Sequence, residues 1–292
     1  MDTLVYHYDA FSNIPGKGNP AGVVLNADHL TETDMLEIAG KVGFNETAFV
    51  VSSDKAAFRM RYFTPGHEMP LCGHATIASL YCMKSKGLLN GKESLTIETG
   101  AGILPINIFG DGSDTNVLMR HASPQFKEFK GSLEELSDAI GIGKEDIEPS
   151  IPVIYGSTGT WTLLVPVRSL NVITGMKSKN KLFPSILQEI PHASVHPFCL
   201  ETFKPQCHMH GRHFSSPFSG TTEDPVTGTA SGVMGAYYAT FIEPSITDKA
   251  LIVEQGQEMG KDGEVSVHIK KSSSAVDISI SGTAVYVKDI AL

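Results

Sequence analysis

The sequence predicts an α+β protein of two similar domains, each wrapping a curled β-sheet around a central helix. Three observations carry that expectation. Strand-like segments come in runs with helices interspersed, not in regular βαβ alternation. Two helical segments, 75–86 and 229–241, are apolar on most faces, so each must be surrounded by other structure. The stretches that lead into them echo one another: EMPLCGHA at 68–75 and EDPVTGTA at 223–230 share Glu, Pro, Gly and Ala at constant spacing. Such an echo marks duplicated halves.

Taken in order, residues 2–8 alternate as a strand. The Gly/Pro-rich loop GKGNPAG precedes a short apolar strand at 23–25. Residues 31–42 read as a helix with Thr31 as N-cap. Strands are expected at 48–51 and 57–63, then the first apolar helix, ending near Gly87. Strands follow at 95–99, 103–108 and 116–120, and an amphipathic helix at 133–140. Further strands are expected at 153–154, 160–167 and 207–214. The second apolar helix stops before Pro244, and 251–287 is strand-rich with Gly turns. The expected division is 1–118, joined by a crossing strand at 283–292, and 119–282.

The chain has 292 residues, 41% hydrophobic and 19% charged, enough for a sizeable core. Its formal net charge is −9, with no basic stripe. Nucleic-acid or anionic-membrane binding needs concentrated Lys and Arg, so neither is expected. Small anionic substrates stay open, because a local site can be positive on an acidic protein. No apolar run reaches membrane-spanning length. The chain opens Met-Asp-Thr-Leu-Val straight into strand-like sequence, so no signal peptide is expected. Four scattered cysteines suit a reducing cytoplasm better than a disulfide framework.

The echo also points to chemistry. Gly73 and Gly228 stand at the two helix starts, where glycine lets a ligand approach the backbone closely. First-turn N–H groups lack intrahelical partners, and the helix dipole adds positive charge there. Such ends suit a carboxylate, or the charge of an enolate-like transition state. The bland alternative is tight packing at a helix start.

With GNPAGVV at 18–24, GFNETAFV at 43–50, FTPGHEMPLCGHATIAS at 63–79, STGTWTLLVPV at 157–167 and EDPVTGTASG at 223–232, the chain resembles PhzF-like isomerases. These are relatives of diaminopimelate epimerase and proline racemase. The resemblance implies the epimerase-like fold with the active site between domains. It also implies catalysis without metal or organic cofactor, and a homodimer. It assigns Glu46 as the proton-shuttling glutamate, and His74 and Asp224 as substrate-contacting residues that serve the proton transfer. It gives Gly73, Gly228 and Thr229 to the substrate carboxylate. Asn19 is a candidate substrate contact in the Gly-rich turn. Bland readings stand beside these: a solvated loop glutamate for Glu46, and helix capping for His74 and Asp224.

One departure matters. Racemases of the wider superfamily use two cysteines, one per half. Cys72 occupies the first such position, but its echo partner is Thr227. A threonine hydroxyl is far too weak an acid to exchange protons as a thiol does. Symmetrical two-base racemization is therefore disfavoured, and a single base at Glu46 fits better. Cys72, near a helix start, remains either a reactive thiol or a small packed residue.

The Cys/His-rich stretch of Cys199, Cys207, His208, His210 and His213 lacks a second ligand pair at fixed spacing, so no metal site is expected. Its strand-like alternation places His208 and His210 on one face. GKGNPAG is neither a Walker loop nor a dinucleotide fingerprint, and Ser157 is not in a nucleophile elbow. The expectation is an isomerase that moves a proton on a small carboxylate-bearing metabolite. Its rivals are an epimerase or dehydratase using Cys72, and a non-catalytic binding protein of the same fold.

Overall fold

The structure, a computed structural model, describes residues 3–89, 91–273 and 275–292. The chain divides into two compact units. Unit 1 runs to Arg120 and takes in Ser281–Leu292; unit 2 is His121–Ile280. The architecture is α+β, strands built about a few helices. Among the described residues, no helix is long and apolar enough to cross a membrane.

In unit 1, β1 (Leu4–Ala10) pairs antiparallel with β2 (Asn19–Val24) on one side and with the C-terminal strand Ala284–Ala291 on the other. After α1 (Glu32–Val42), β3 (Glu46–Val51) joins β2 in parallel, with Glu46 opposite Ala21. Thr31 caps α1 in a reciprocal box with Asp34. Next come β4 (Phe58–Phe63) and the two-residue β5 (Glu68–Met69), antiparallel to each other. They lead to α2 (Gly73–Ser85). β6 (Ser94–Thr99), β7 (Gly102–Phe109) and β8 (Asn116–Arg120) follow, β6 running parallel to β4.

The two helices show how burial follows pattern. α1 buries one stripe, Met35, Ile38 and Ala39, in a cluster with Val5, Val24, Phe49 and Phe63. α2 buries His74 through Leu80 without interruption and packs on β1, β2, β3, β8 and the C-terminal strand. It is the central helix that its composition predicts.

In unit 2, β9 (Gln125–Glu128) pairs with β10 (Ile154–Ser157), and β10 with β11 (Trp161–Pro166). The small helices α3 (Leu133–Ile140), α4 (Leu170–Gly175) and α5 (Phe183–Ile186) flank these strands. They share a core that includes Leu136, Phe183, Leu163 and Val195. β12 (Ser194–Cys199) runs parallel to β11. β13 (Met209–Gly211) and β14 (His213–Phe214) both pair with β12, and β15 (Glu223–Asp224) pairs with β14. α6 (Gly228–Tyr237), another all-round buried helix, continues into a π turn at Tyr238–Ile242. β16 (Asp248–Gln255), β17 (Gly263–Lys271) and β18 (Val276–Gly282), whose last two residues belong to unit 1, follow.

Two local expectations change. The Gly/Pro-rich loop is shorter than its composition suggests, because Asn19 and Pro20 already belong to β2. The stretch 207–214 is two short strands, with His208 exposed ahead of them and His210 fully buried. β13 lies between β12 and β16 and is covered on both faces, so alternation does not sort its side chains into wet and dry.

Candidate active site

Three chain segments of unit 1 converge on His74. The first is the loop ahead of β2. Asp9, fully buried, takes the Gly16 N–H at 2.7 Å on one oxygen and meets His7 Nε2 at 2.9 Å with the other. Gly18 has φ 76°, and a Cβ there would stand 2.2 Å from the Ala10 carbonyl oxygen, so only glycine makes this turn. The turn delivers Asn19, with no exposed surface, to the first position of β2. The second segment is β3. Its first residue is Glu46, and because β2 and β3 are parallel, Asn19 and Glu46 lie at the same end of the pair.

The third is the start of α2. Cys72 is the N-cap, in extended conformation, and Gly73 and His74 form the first turn. The Thr76 hydroxyl donates to the Cys72 carbonyl at 2.7 Å and meets the Tyr62 hydroxyl at 2.6 Å, which braces this turn on β4. Burial holds the Tyr62 phenol far above its ordinary range, so it stays protonated.

His74 is the hub. Its Nε2 lies 3.3 Å from Glu46 Oε2. Its Nδ1 lies 3.3 Å from Asn19 Nδ2 and 3.4 Å from Cys72 Sγ. Cys72 and His74 are buried, whereas the Glu46 side chain keeps 18% of its surface exposed. Glu46 is thus a strand-end carboxylate beside a histidine, reachable from outside, and not a solvated loop residue. A carboxylate, an imidazole and a thiol in mutual reach at a helix N-terminus can accept, hold and return a proton beside an anionic group.

Glu46, Cys72 and His74 are also the group of ligand-type side chains, among the described residues, whose donor atoms all lie within 4.8 Å of one another. The Cys/His stretch of unit 2 forms no such group among the described residues. There burial pushes the Cys199 and Cys207 thiols up to about 12.

In unit 2, Asp224 ends β15 and Thr227 caps α6, with Gly228 and Thr229 as its first two residues. The Thr227 hydroxyl donates to Asp224 Oδ2 at 2.5 Å. The Gln255 amide donates to the Asp224 carbonyl at 2.7 Å, while its oxygen accepts the Thr227 N–H at 3.1 Å. Gly256, at φ 97°, lets the chain pass close under the Pro225 carbonyl, where a Cβ would come within 2.8 Å. The Thr227 hydroxyl therefore holds the Asp224 carboxylate, while Gln255 fixes the backbone at Asp224 and Thr227.

The structure extends the internal echo further than residue spacing alone reveals. In unit 1 the Arg61 guanidinium forks onto Glu68 at 2.7 Å twice and lies 5.1 Å over the Phe63 ring. In unit 2 Arg212 forks onto Glu223 at 2.8 Å twice and lies 4.8 Å over Phe214. Phe63 pairs with Glu68 and Phe214 with Glu223 in matching register. Thr76 and Ser231 likewise each bond the N-cap carbonyl of their own helix. The first glutamate of each motif is therefore a brace that holds the loop before its helix. The signal is present in the chain as RYF at 61–63 and RHF at 212–214. The longer loop after Phe214 breaks the constant spacing and hides it.

Comparison with known proteins gives the family. A sequence model described as "Phenazine biosynthesis-like protein" matches residues 8–289. A Bacillus subtilis protein named "Uncharacterized isomerase YfhB" is 50% identical over 97% of this chain and 96% of its own length. An Escherichia coli protein named "Uncharacterized isomerase YddE" is 34% identical over 98% and 96%. The crystal structure of a Bacillus anthracis PhzF-family protein superposes with TM-score 0.97 at 57% identity, covering 100% of this chain and 99% of that one. A hydroxyproline epimerase of Agrobacterium vitis shares the fold at TM-score 0.67 and 13% identity, covering 100% and 91%. The chain belongs to the phenazine biosynthesis-like PhzC-PhzF family, as an isomerase of that family.

Proposed function

We propose that this isomerase moves a proton on a small carboxylate-bearing metabolite, with Glu46 as the single base that takes the proton and returns it to another carbon. The observation that carries this reading is the 3.3 Å contact between Glu46 and His74 at the start of α2. There a carboxylate that keeps some exposure sits beside an imidazole and the positive end of a buried helix. The first turn at Gly73 suits the substrate carboxylate. Asp224, with Gly228 and Thr229, carries the substrate-contact role that the family motif gives it. The chemistry is a proton shift that needs no organic cofactor or metal, in a cytoplasmic homodimer. The substrate carbon must be acidified by a neighbouring carbonyl or unsaturated group.

A second reading has one observation in its favour: Cys72 Sγ stands 3.4 Å from His74 Nδ1, close enough for a thiol base. Thr227 at the echo position argues against two-base racemization.

The test is incubation of small amino, hydroxy and dihydro-aromatic carboxylates with enzyme in D2O, read by mass spectrometry. Deuterium should enter one compound with wild type, and Glu46→Gln should slow it by roughly 10²–10⁴-fold. Exchange that survives in Glu46→Gln and is lost in Cys72→Ser would move the base to the thiol. No exchange with any compound would favour a binding protein.

A further inference from the structure

We propose that Asn19 is a positioning residue that decides which nitrogen of His74 carries the proton, and so places that proton on the nitrogen beside Glu46. The inference rests on the reading of Glu46 as the base. It begins with what each atom can do. The nitrogen of an amide side chain only donates. Asn19 Nδ2 points at His74 Nδ1 from 3.3 Å, so Nδ1 must offer a lone pair. A neutral imidazole has one N–H, and that proton then sits on Nε2, which faces Glu46 Oε2 at 3.3 Å. The proton-bearing nitrogen of His74 is then the one beside the Glu46 carboxylate, 3.3 Å from Oε2.

The opposite tautomer would turn the site over. Cys72 Sγ lies 3.4 Å from Nδ1 and 3.9 Å from Nε2, so a proton on Nδ1 would stand somewhat nearer the thiol and away from Glu46. The bare Nε2 would then confront a carboxylate oxygen, lone pair against lone pair. Glu46 from β3, Cys72 from the head of α2 and Asn19 from β2 stand around the one ring, and the Asn19 amide fixes which of its nitrogens stays bare.

Asn19 is held for this task. It has no exposed surface and pairs with Ala10 across β1. It is followed by Pro20 and preceded by Gly18, whose turn admits no side chain. The loop before it is tied to the buried Asp9 through Gly16. A side chain with its backbone fixed in this way has little freedom to move its amide away.

His210 shows what happens without such an amide. Both its nitrogens meet carboxylates, Glu254 at 3.3 Å and Glu258 at 3.0 Å. Asn19→Asp, which keeps the shape and exchanges a donor for an acceptor, would place His74 in that same kind of environment.

The experiment is nitrogen-15 NMR of the full chain labelled at histidine, without substrate, with the His74 signals assigned by their loss in His74→Gln. In wild type, Nε2 should be protonated and Nδ1 bare. In Asn19→Asp, His74 should bind its proton tenfold or more tightly, and Nδ1 should carry a proton. Deuterium exchange should then lose rate through kcat more than through KM, with its acid limb moved to higher pH. If Asn19→Asp does not fold, Asn19→Ala should give a mixture of tautomers. A protonated Nδ1 in neutral wild-type His74 would overturn the proposal. So would an unchanged tautomer and proton affinity in Asn19→Asp. The NMR result stands whether or not Glu46→Gln abolishes exchange, so failure of the base assignment and failure of the Asn19 role are separable.

Discussion

His74 in unit 1 and His210 in unit 2 each lie within 3.3 Å of a glutamate, yet the two carboxylates are in different situations. Glu254 is fully buried. It accepts the N–H groups of Phe203 and Lys204 at 2.5 and 3.1 Å and faces His210 as well. It ties the 203–204 turn to β13 and β16. Glu46 instead keeps part of its side chain in reach of solvent, at the end of a strand and beside a helix start. A carboxylate enclosed by protein donors is a structural brace. One left accessible next to a histidine is available for chemistry. The pairing of residue types alone does not separate the two cases.

The largest effect should come from breaking the brace. Glu254→Gln leaves His210 facing Glu258 with half its counter-charge removed and disturbs two backbone contacts. The expected loss is about 3–5 kcal/mol, as for removing one partner of a buried ion pair. Urea denaturation checks it; a loss below about 1 kcal/mol would mean that the cluster contributes little.

The pH dependence of stability should differ in sign between two histidines of unit 2. Desolvation works against charge on His210, but Glu254 and Glu258 outweigh it and hold its pKa above the ordinary value. Its contribution is therefore fully present below the unfolded value of 6.5 and is lost as pH rises through the raised folded value. His121, over Gly232, is driven by desolvation alone down to about 4. Its unfolded form takes up protons first, so stability falls as pH drops from 6.5 towards 4. Denaturation across this range should show the stability gap between wild type and His210→Gln widening on acidification. The gap between wild type and His121→Asn should shift the other way. Equal slopes in the two series would contradict the assigned environments.

The smallest effect sharpens the contrast. Glu46→Gln, which should remove exchange activity, is expected to leave the melting temperature within about 3 °C of wild type or to raise it slightly, since functional carboxylates are often held against stability. A large fall in melting temperature would make Glu46 a brace after all.

Much of the molecule is legible in its residues. The all-apolar runs of α2 and α6 announce helices that must be enclosed, and Thr31 announces the start of α1. The motifs around Glu46, Cys72 and His74 mark those three as candidates through their resemblance to the PhzF-like family. Other parts are not legible. β12 reads SVHPFC, with a proline and no alternation, and becomes a strand because it is buried along its whole length beside β11 and β13. Asn19 looks like a turn residue because Gly18 and Pro20 flank it, and only pairing with β1 makes it a strand start.

Local pattern by itself thus determined the α+β class, the enclosed helices and the echo ahead of them, because these depend on residue type and near-neighbour spacing, while family motifs named the candidate side chains. Tertiary structure decided which atoms meet: that Arg61 and Arg212 brace the echoed glutamates, that Glu254 is enclosed while Glu46 is reachable, and that an amide and a carboxylate take opposite nitrogens of His74. Those facts depend on hydrogen-bond distances of about 3 Å between segments far apart in the chain, and no local pattern encodes such distances.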